Sequence, residues 1–168
     1  MNKNLIFLHL PKNGGTTFHS IIESQYPEES IFSIKVIKSI RLNTEDFLNM
    51  STDEKEKIKV LKGHMRYGLH THMIGQSEYV TFLRNPLDRI ISFYNYVKSR
   101  PAHRLYKTVS ENNWSLKDFA LNIKQGDVNN CQVRWVGGKD GSDEGMLNLA
   151  LSNIEKHFPV VGLLAMFD

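Results

Sequence analysis

Apolar residues fall in two patterns along the chain. Leu5 to Leu10 (LIFLHL) and Tyr79 to Leu83 (YVTFL) are short apolar runs with little alternation. Such runs suit strands buried on both faces of a parallel sheet. Elsewhere apolar residues recur three and four positions apart, which predicts amphipathic helices. One runs from Thr16 through Phe18, Ile21 and Ile22 to about Gln25, ending before Tyr26-Pro27. A second starts at Pro86, a residue suited to the first helical position, and carries Leu87, Ile90, Ile91, Tyr94 and Val97. A third places Leu116, Phe119, Ala120 and Ile123 behind Ser115 and Asp118, which resemble a capping box. A fourth takes in Leu147, Ala150, Leu151, Ile154 and Phe158.

Weaker signals fill the gaps. A strand is expected within Ile31 to Ile40, and Thr44 can cap a short helix through Leu48. Ser51 with Glu54 predicts a capped polar helix to about Lys59, whose interleaved Lys and Glu residues read as a solvated face. Val60-Leu61 is a minimal strand, Gly137 to Gly145 a flexible loop, and Pro159 to Leu164 a final strand. Strands alternating with helices make this an α/β fold.

Composition narrows the function classes. The 168 residues are 40% hydrophobic and 23% charged, in the globular range and enough for one domain. The net charge of +3, from 21 basic and 18 acidic residues, is too mild to argue for nucleic acid. No apolar run approaches the ~20 residues of a membrane span, and Leu5 to Leu10 is too short for a signal peptide, so a cytoplasmic location is expected. A single cysteine, Cys131, excludes an intrachain disulfide and a zinc site built on two cysteines.

The chemistry concentrates where strands hand over to helices, the place where open α/β sheets bind ligands. After the first strand comes Pro11-Lys12-Asn13-Gly14-Gly15-Thr16-Thr17. The glycine pair lets backbone approach a ligand, and the helix behind it aims N–H groups and its positive dipole end at the same place. Lys12 adds a charge, and Thr16 and Thr17 add hydroxyl donors. These features favour an anion, most simply a phosphate. The pattern is not a Walker A loop, because the lysine precedes the glycine pair. The plainer alternative is a tight turn with surface Lys and Thr.

After the second buried strand, Arg84 leaves the strand end and Ser92 lies about two turns into the next helix. Both can reach one phosphate, the guanidinium offering a fork of donors. The alternative is a structural Arg84–Asp88 ion pair. Arg89 is assigned either to a helix salt bridge or to solvent. Between these segments, His64 follows a short strand with Gly63 before it and Gly68 after it. Its ordinary pKa near ~6.5 suits a general base at neutral pH. The alternative is a structural histidine. His70 and His72 have no carboxylate nearby in sequence, so no metal site is expected.

Taken together, HLPKNGGTTF, KGHMRYGLH and VTFLRNPLDRIISFYNYV, in that order, resemble the sulfotransferase family 2 domain. This group is similar to the heparan sulfate 2-O and 6-O sulfotransferases and has many bacterial members. Asn129 to Arg134 resembles the family's Asn-x-Gln-x-Arg stretch, and Leu147 to Asp168 its helix and VGLxExFD strand end. The resemblance implies a three-layer P-loop-like fold with a central, mainly parallel sheet. It implies 3′-phosphoadenosine-5′-phosphosulfate as sulfuryl donor, its bisphosphate as product, no metal, and a hydroxyl acceptor, expected to be a saccharide. Pro11 to Thr17 would bind the 5′-phosphosulfate, Lys12 would stabilise the leaving phosphate, and Arg84 and Ser92 would hold the 3′-phosphate. His64 aligns with the proposed base of the 2-O enzymes.

The sequence departs from the family at Asn85, where Asp is common, and at Leu164 and Ala165, near common Thr and Glu. Arg66, Tyr67, Arg100, His103 and Arg104 either bind an anionic sugar or form a solvated basic rim. Related domains continue past the segment ending at Asp168, so a single domain, shortened at its C-terminus, is expected. Rival functions are a P-loop-type kinase and a nucleotide-binding module without turnover.

Overall fold

The computed structural model describes residues 3–37, 41–123, 126 and 128–164. Its strands are β1 (Asn4–Leu8), β2 (Ile31–Ile34), β3 (Val36–Ile37), β4 (Arg41–Leu42), β5 (Val60–Gly63), β6 (Ser77–Leu83) and β7 (Val160–Leu163). Its α-helices are α1 (Thr16–Gln25), α2 (Thr44–Leu48), α3 (Thr52–Lys57), α4 (Pro86–Lys98), α5 (Tyr106–Glu111), α6 (Leu116–Asn122), α7 (Cys131–Gly137) and α8 (Asp143–His157). Contacts divide the chain into two units, Met1–Leu83 with Gln132–Asp168, and Arg84–Cys131.

In the first unit five strands form a parallel sheet in the order β2-β5-β1-β6-β7. β1 is central, pairing with β5 and β6, and Ile6, Phe7 and Leu8 are fully buried. That is why its sequence is apolar without alternation. The period of two still sorts side chains between faces. Phe7 and Val60 pack with Phe18 and Ile22 of α1. Ile6, Leu8, Leu61 and Tyr79 pack with Phe47 of α2, Val136 of α7 and Ala150 of α8. Helix, sheet and helix make three layers. The short pair β3 and β4 is antiparallel and separate from the main sheet.

After β1 the chain leads toward β2 at one edge, whereas after β6 it leads to β7 at the other. The connections diverge between β1 and β6, so the carboxyl end of β1 lies at the topological switch point. In register, Leu8 lies opposite Gly63, which sets His9 and His64 side by side just beyond the sheet.

The second unit is helical. Phe93, Val97, Leu105, Val109 and Phe119 form its core, drawn from α4, α5 and α6 and the turn before α5. Pro86 opens α4, and the Asn85 side chain accepts hydrogen bonds from the N–H groups of Leu87 (2.9 Å) and Asp88 (3.4 Å). Asn85 therefore caps the helix, the work its shared oxygen with Asp allows. Both expected capping boxes are present, Ser51 with Glu54 and Ser115 with Asp118.

Three elements differ from expectation. α8 starts at Asp143, not near Leu147, because Ser142 caps it and Asp143 and Glu144 suit its dipole. The glycine-rich loop is correspondingly shorter. α5 and α7 carry too few apolar turns to show periodicity. Arg89, assigned either to a helix salt bridge or to solvent, is 2% exposed, which removes the solvent alternative, and its Nη2 lies 2.9 Å from the Cys131 sulfur. The expected strand residues 38–40, and the VGLxExFD positions 165–168, lie outside the described residues.

Candidate active site

The loop from Pro11 to Gly15 joins β1 to α1. Lys12 has φ 70° and Gly14 φ 72°, both left-handed, while Gly15 returns to φ −70°. Adjacent left- and right-handed residues make successive N–H groups converge, the arrangement that receives anions. α1 has no side-chain cap and no acidic residue in its first turn. Among the described residues no acceptor meets the backbone N–H groups of Gly14, Gly15, Thr16 or Thr17. Gly14, Thr16 and Thr17 are exposed, so these donors face an approaching ligand.

Asn13 holds the loop from beneath. It is 1% exposed, and its Nδ2 donates to the Phe82 carbonyl and to Gln132 Oε1, each at 2.7 Å. The Asn13 side chain thus ties the loop to β6 and α7. Gly15 is buried against the His9 ring: a Cβ there would lie 2.4 Å from His9 Cδ2.

His64 follows β5. Its Nδ1 lies 2.8 Å from the His9 carbonyl oxygen, which only accepts, so Nδ1 carries the proton. The lone pair of the neutral ring then belongs to Nε2. The ring stacks on His9 with centroids 4.5 Å apart and meets Trp135 edge-on at 6.0 Å.

One charged side chain sits deeper than its type suggests. Lys62, 3% exposed, pairs with Glu23, and its ammonium lies 3.2 Å from His19 Nδ1. His19 Nε2 in turn lies 2.9 Å from His9 Nδ1. Burial, with the nearby His64, His19 and Lys62, pushes the His9 pKa down to about 3. Burial and Lys62 push His19 down to about 4. Glu23 is held below the usual carboxylate range by its bond to Lys62.

The segment after His64 is pinned by Tyr79. Its hydroxyl accepts from the N–H groups of Gly68 and His70, each at 3.1 Å, and meets His70 Nδ1 at 3.0 Å. Tyr67 N–H donates to the Trp135 carbonyl at 2.8 Å. Beside this segment lies a cavity of about 390 Å³, lined in part by Leu42, Met65, Arg66, Tyr67, His72 and Trp135. Arg66 and Arg134 both pair with Asp140, at 2.9 and 2.7 Å.

The family model "Sulfotransferase family" matches residues 1–136. The chain belongs to the sulfotransferase family. No curated protein sequence matches it. Among solved structures it is similar to mouse sulfotransferase SULT7A1 complexed with PAP, at 15% identity and a TM-score of 0.51. That match covers 96% of this chain but 51% of the mouse chain, so the chain spans about half the length of that relative. A sulfotransferase from Alicyclobacillus acidocaldarius aligns at 13% identity and a TM-score of 0.49, over 99% of this chain and 75% of its own. The likeness to the mouse enzyme supports a shared α/β fold.

Of the residues singled out in the sequence of this sulfotransferase-family chain, the loop residues and His64 meet at the carboxyl ends of adjacent strands β1 and β5. Arg84 directly follows β6, and Ser92 lies two turns into α4, half-buried within the helical unit. Sequence reasoning missed His9, His19, Lys62 and Trp135. A histidine within an apolar strand run, and a lysine between Leu61 and Gly63, were the signals available. β5 runs on through Lys62 to Gly63, past the expected Val60-Leu61, and only the sheet register sets Lys62 and His9 together.

Proposed function

We propose that the chain is a sulfuryl transferase that uses 3′-phosphoadenosine-5′-phosphosulfate as donor and a saccharide hydroxyl as acceptor. The observation that carries this reading is the uncapped, acid-free start of α1 under an anion-shaped loop, with His64 at the neighbouring strand end. The loop residues Pro11 to Thr17 take the 5′-phosphosulfate through backbone N–H groups and the threonine hydroxyls. Arg84 and Ser92 take the 3′-phosphate, the group that distinguishes this donor from ADP or ATP.

His64 Nε2 accepts the acceptor's hydroxyl proton as that oxygen bonds to sulfur and the sulfur–oxygen bond to the phosphate breaks. Lys12 offsets the charge that develops on the departing phosphate. Positioning and electrostatics suffice for such a transfer, with no covalent enzyme intermediate. The cavity beside the segment after His64 suits a saccharide, since Trp135 and Tyr67 offer ring faces and Arg66, paired with Asp140, offers further N–H donors.

The test is transfer from a labelled-sulfate donor to polysaccharides, lipids and small alcohols. Label retained on a polysaccharide, and lost with His64→Ala, is the expected result. Transfer to lipids or small alcohols alone would overturn the saccharide assignment. No transfer to any acceptor, with donor-product binding intact, would favour a binding module.

A further inference from the structure

The polar groups beneath the anion loop form a directed chain. A lysine ammonium only donates, so Lys62 donates to His19 Nδ1, at 3.2 Å. His19 Nδ1 is then an acceptor, and its proton is on Nε2. His19 Nε2–H donates to His9 Nδ1, at 2.9 Å, which leaves the His9 proton on its own Nε2. Glu23 anchors the outer end by pairing with Lys62. Each donation fixes the next ring's tautomer, and neither imidazole can take a second proton without breaking a bond in the chain.

His9 is the inner end, and it touches two parts of the site. Its ring lies under Gly15, where there is no room for a Cβ. The ring also stacks on His64 at 4.5 Å, and the His9 carbonyl accepts the His64 Nδ1 proton. When His64 takes a proton it becomes a cation against that ring. A neutral His9 tolerates that charge, whereas a charged one would repel it.

We propose that Glu23, Lys62, His19 and His9 form a hydrogen-bond chain that locks His9 as a neutral positioning residue, holding His64 as a base with Nε2 available. The catalytic part rests on the transferase reading, and the tautomer part does not. The ionisable groups facing His9 are His19 from α1, Lys62 from β5 and His64 beyond it. Lys62 and Glu23 face His19 in the same way. The depressed histidine values agree with the direction of the chain.

The test combines two readings on the full chain. Imidazole nitrogen NMR between pH 5 and 8 should find His9 and His19 neutral with the proton on Nε2, and neutral His64 with it on Nδ1. In Lys62→Met, His9 or His19 should become a tautomer mixture or titrate in that range. Mixed tautomers in the unmodified chain, or an unchanged Lys62→Met spectrum, would overturn the proposal. In transfer kinetics, His19→Leu should lower kcat about tenfold with bisphosphate affinity unchanged. His19→Gln, whose amide places a donor where Nε2 lies, should restore most of it. Equal kcat in all three proteins, or loss without rescue by Gln, would overturn the positioning role. The NMR reading stands even if no transfer is found, so failure of the chain and failure of the transferase reading are separable.

Discussion

At the residue scale, the proposed role of Lys12 and the crowded position of Gly63 are each open to a single substitution. Lys12→Ala should lower kcat far more than bisphosphate affinity, because its charge counts most as the leaving phosphate develops. Steady-state kinetics beside equilibrium titration reads this, and equal losses would contradict it. Gly63 has φ 129°, and a Cβ there would lie 1.9 Å from the Ile34 carbonyl oxygen. Gly63→Ala should therefore cost at least about 2 kcal/mol in urea unfolding, from strain plus a backbone clash. The tight turn between β1 and α1 was legible at this scale, since a glycine pair follows a buried strand directly. Sequence could not say that the Asn13 side-chain amide turns inward to Phe82 and Gln132.

At the element scale, strong apolar runs and the two capping boxes were legible where local chemistry decides the outcome, whereas Thr44, expected as a cap, is the first residue of α2 behind Asn43. α1 spans the expected Thr16 to Gln25, and both capping boxes formed. Ser51→Ala should lower stability by about 1 kcal/mol, measured by denaturant midpoint, as loss of an N-cap does. Elements set by tertiary contact escaped the sequence. The six-residue α5 has one buried residue, Val109, and the start of α8 was hidden in a glycine-rich stretch. The segment after β5 is likewise organised by a distant group, the Tyr79 hydroxyl. Tyr79→Phe leaves two N–H groups without their acceptor and should cost about 1–3 kcal/mol. Hydrogen exchange should rise at Gly68 and His70, and unchanged protection would contradict the anchoring role.

At the scale of the whole molecule, the sheet order places β1 at the switch point and assembles the histidines, which no single segment reveals. That assembly makes stability depend on pH. His9 and His19 titrate near 3 and 4 when folded, below the ordinary 6.5. Their contribution is complete above that ordinary value. It is lost as pH falls, because the unfolded chain binds protons that the folded chain refuses. Urea midpoints should drop between pH 7 and pH 5, a range above the lowered carboxylates Glu54 and Asp140. The drop should shrink in a His19→Gln variant. The central claim is that the anion loop belongs to a sulfuryl-donor site. It is tested most directly by calorimetric titration of the whole chain with adenosine 3′,5′-bisphosphate and with ADP, each with and without magnesium. The account predicts tighter binding of the bisphosphate, independent of magnesium and weakened by Arg84→Ala. Tighter binding of ADP that requires magnesium would contradict it.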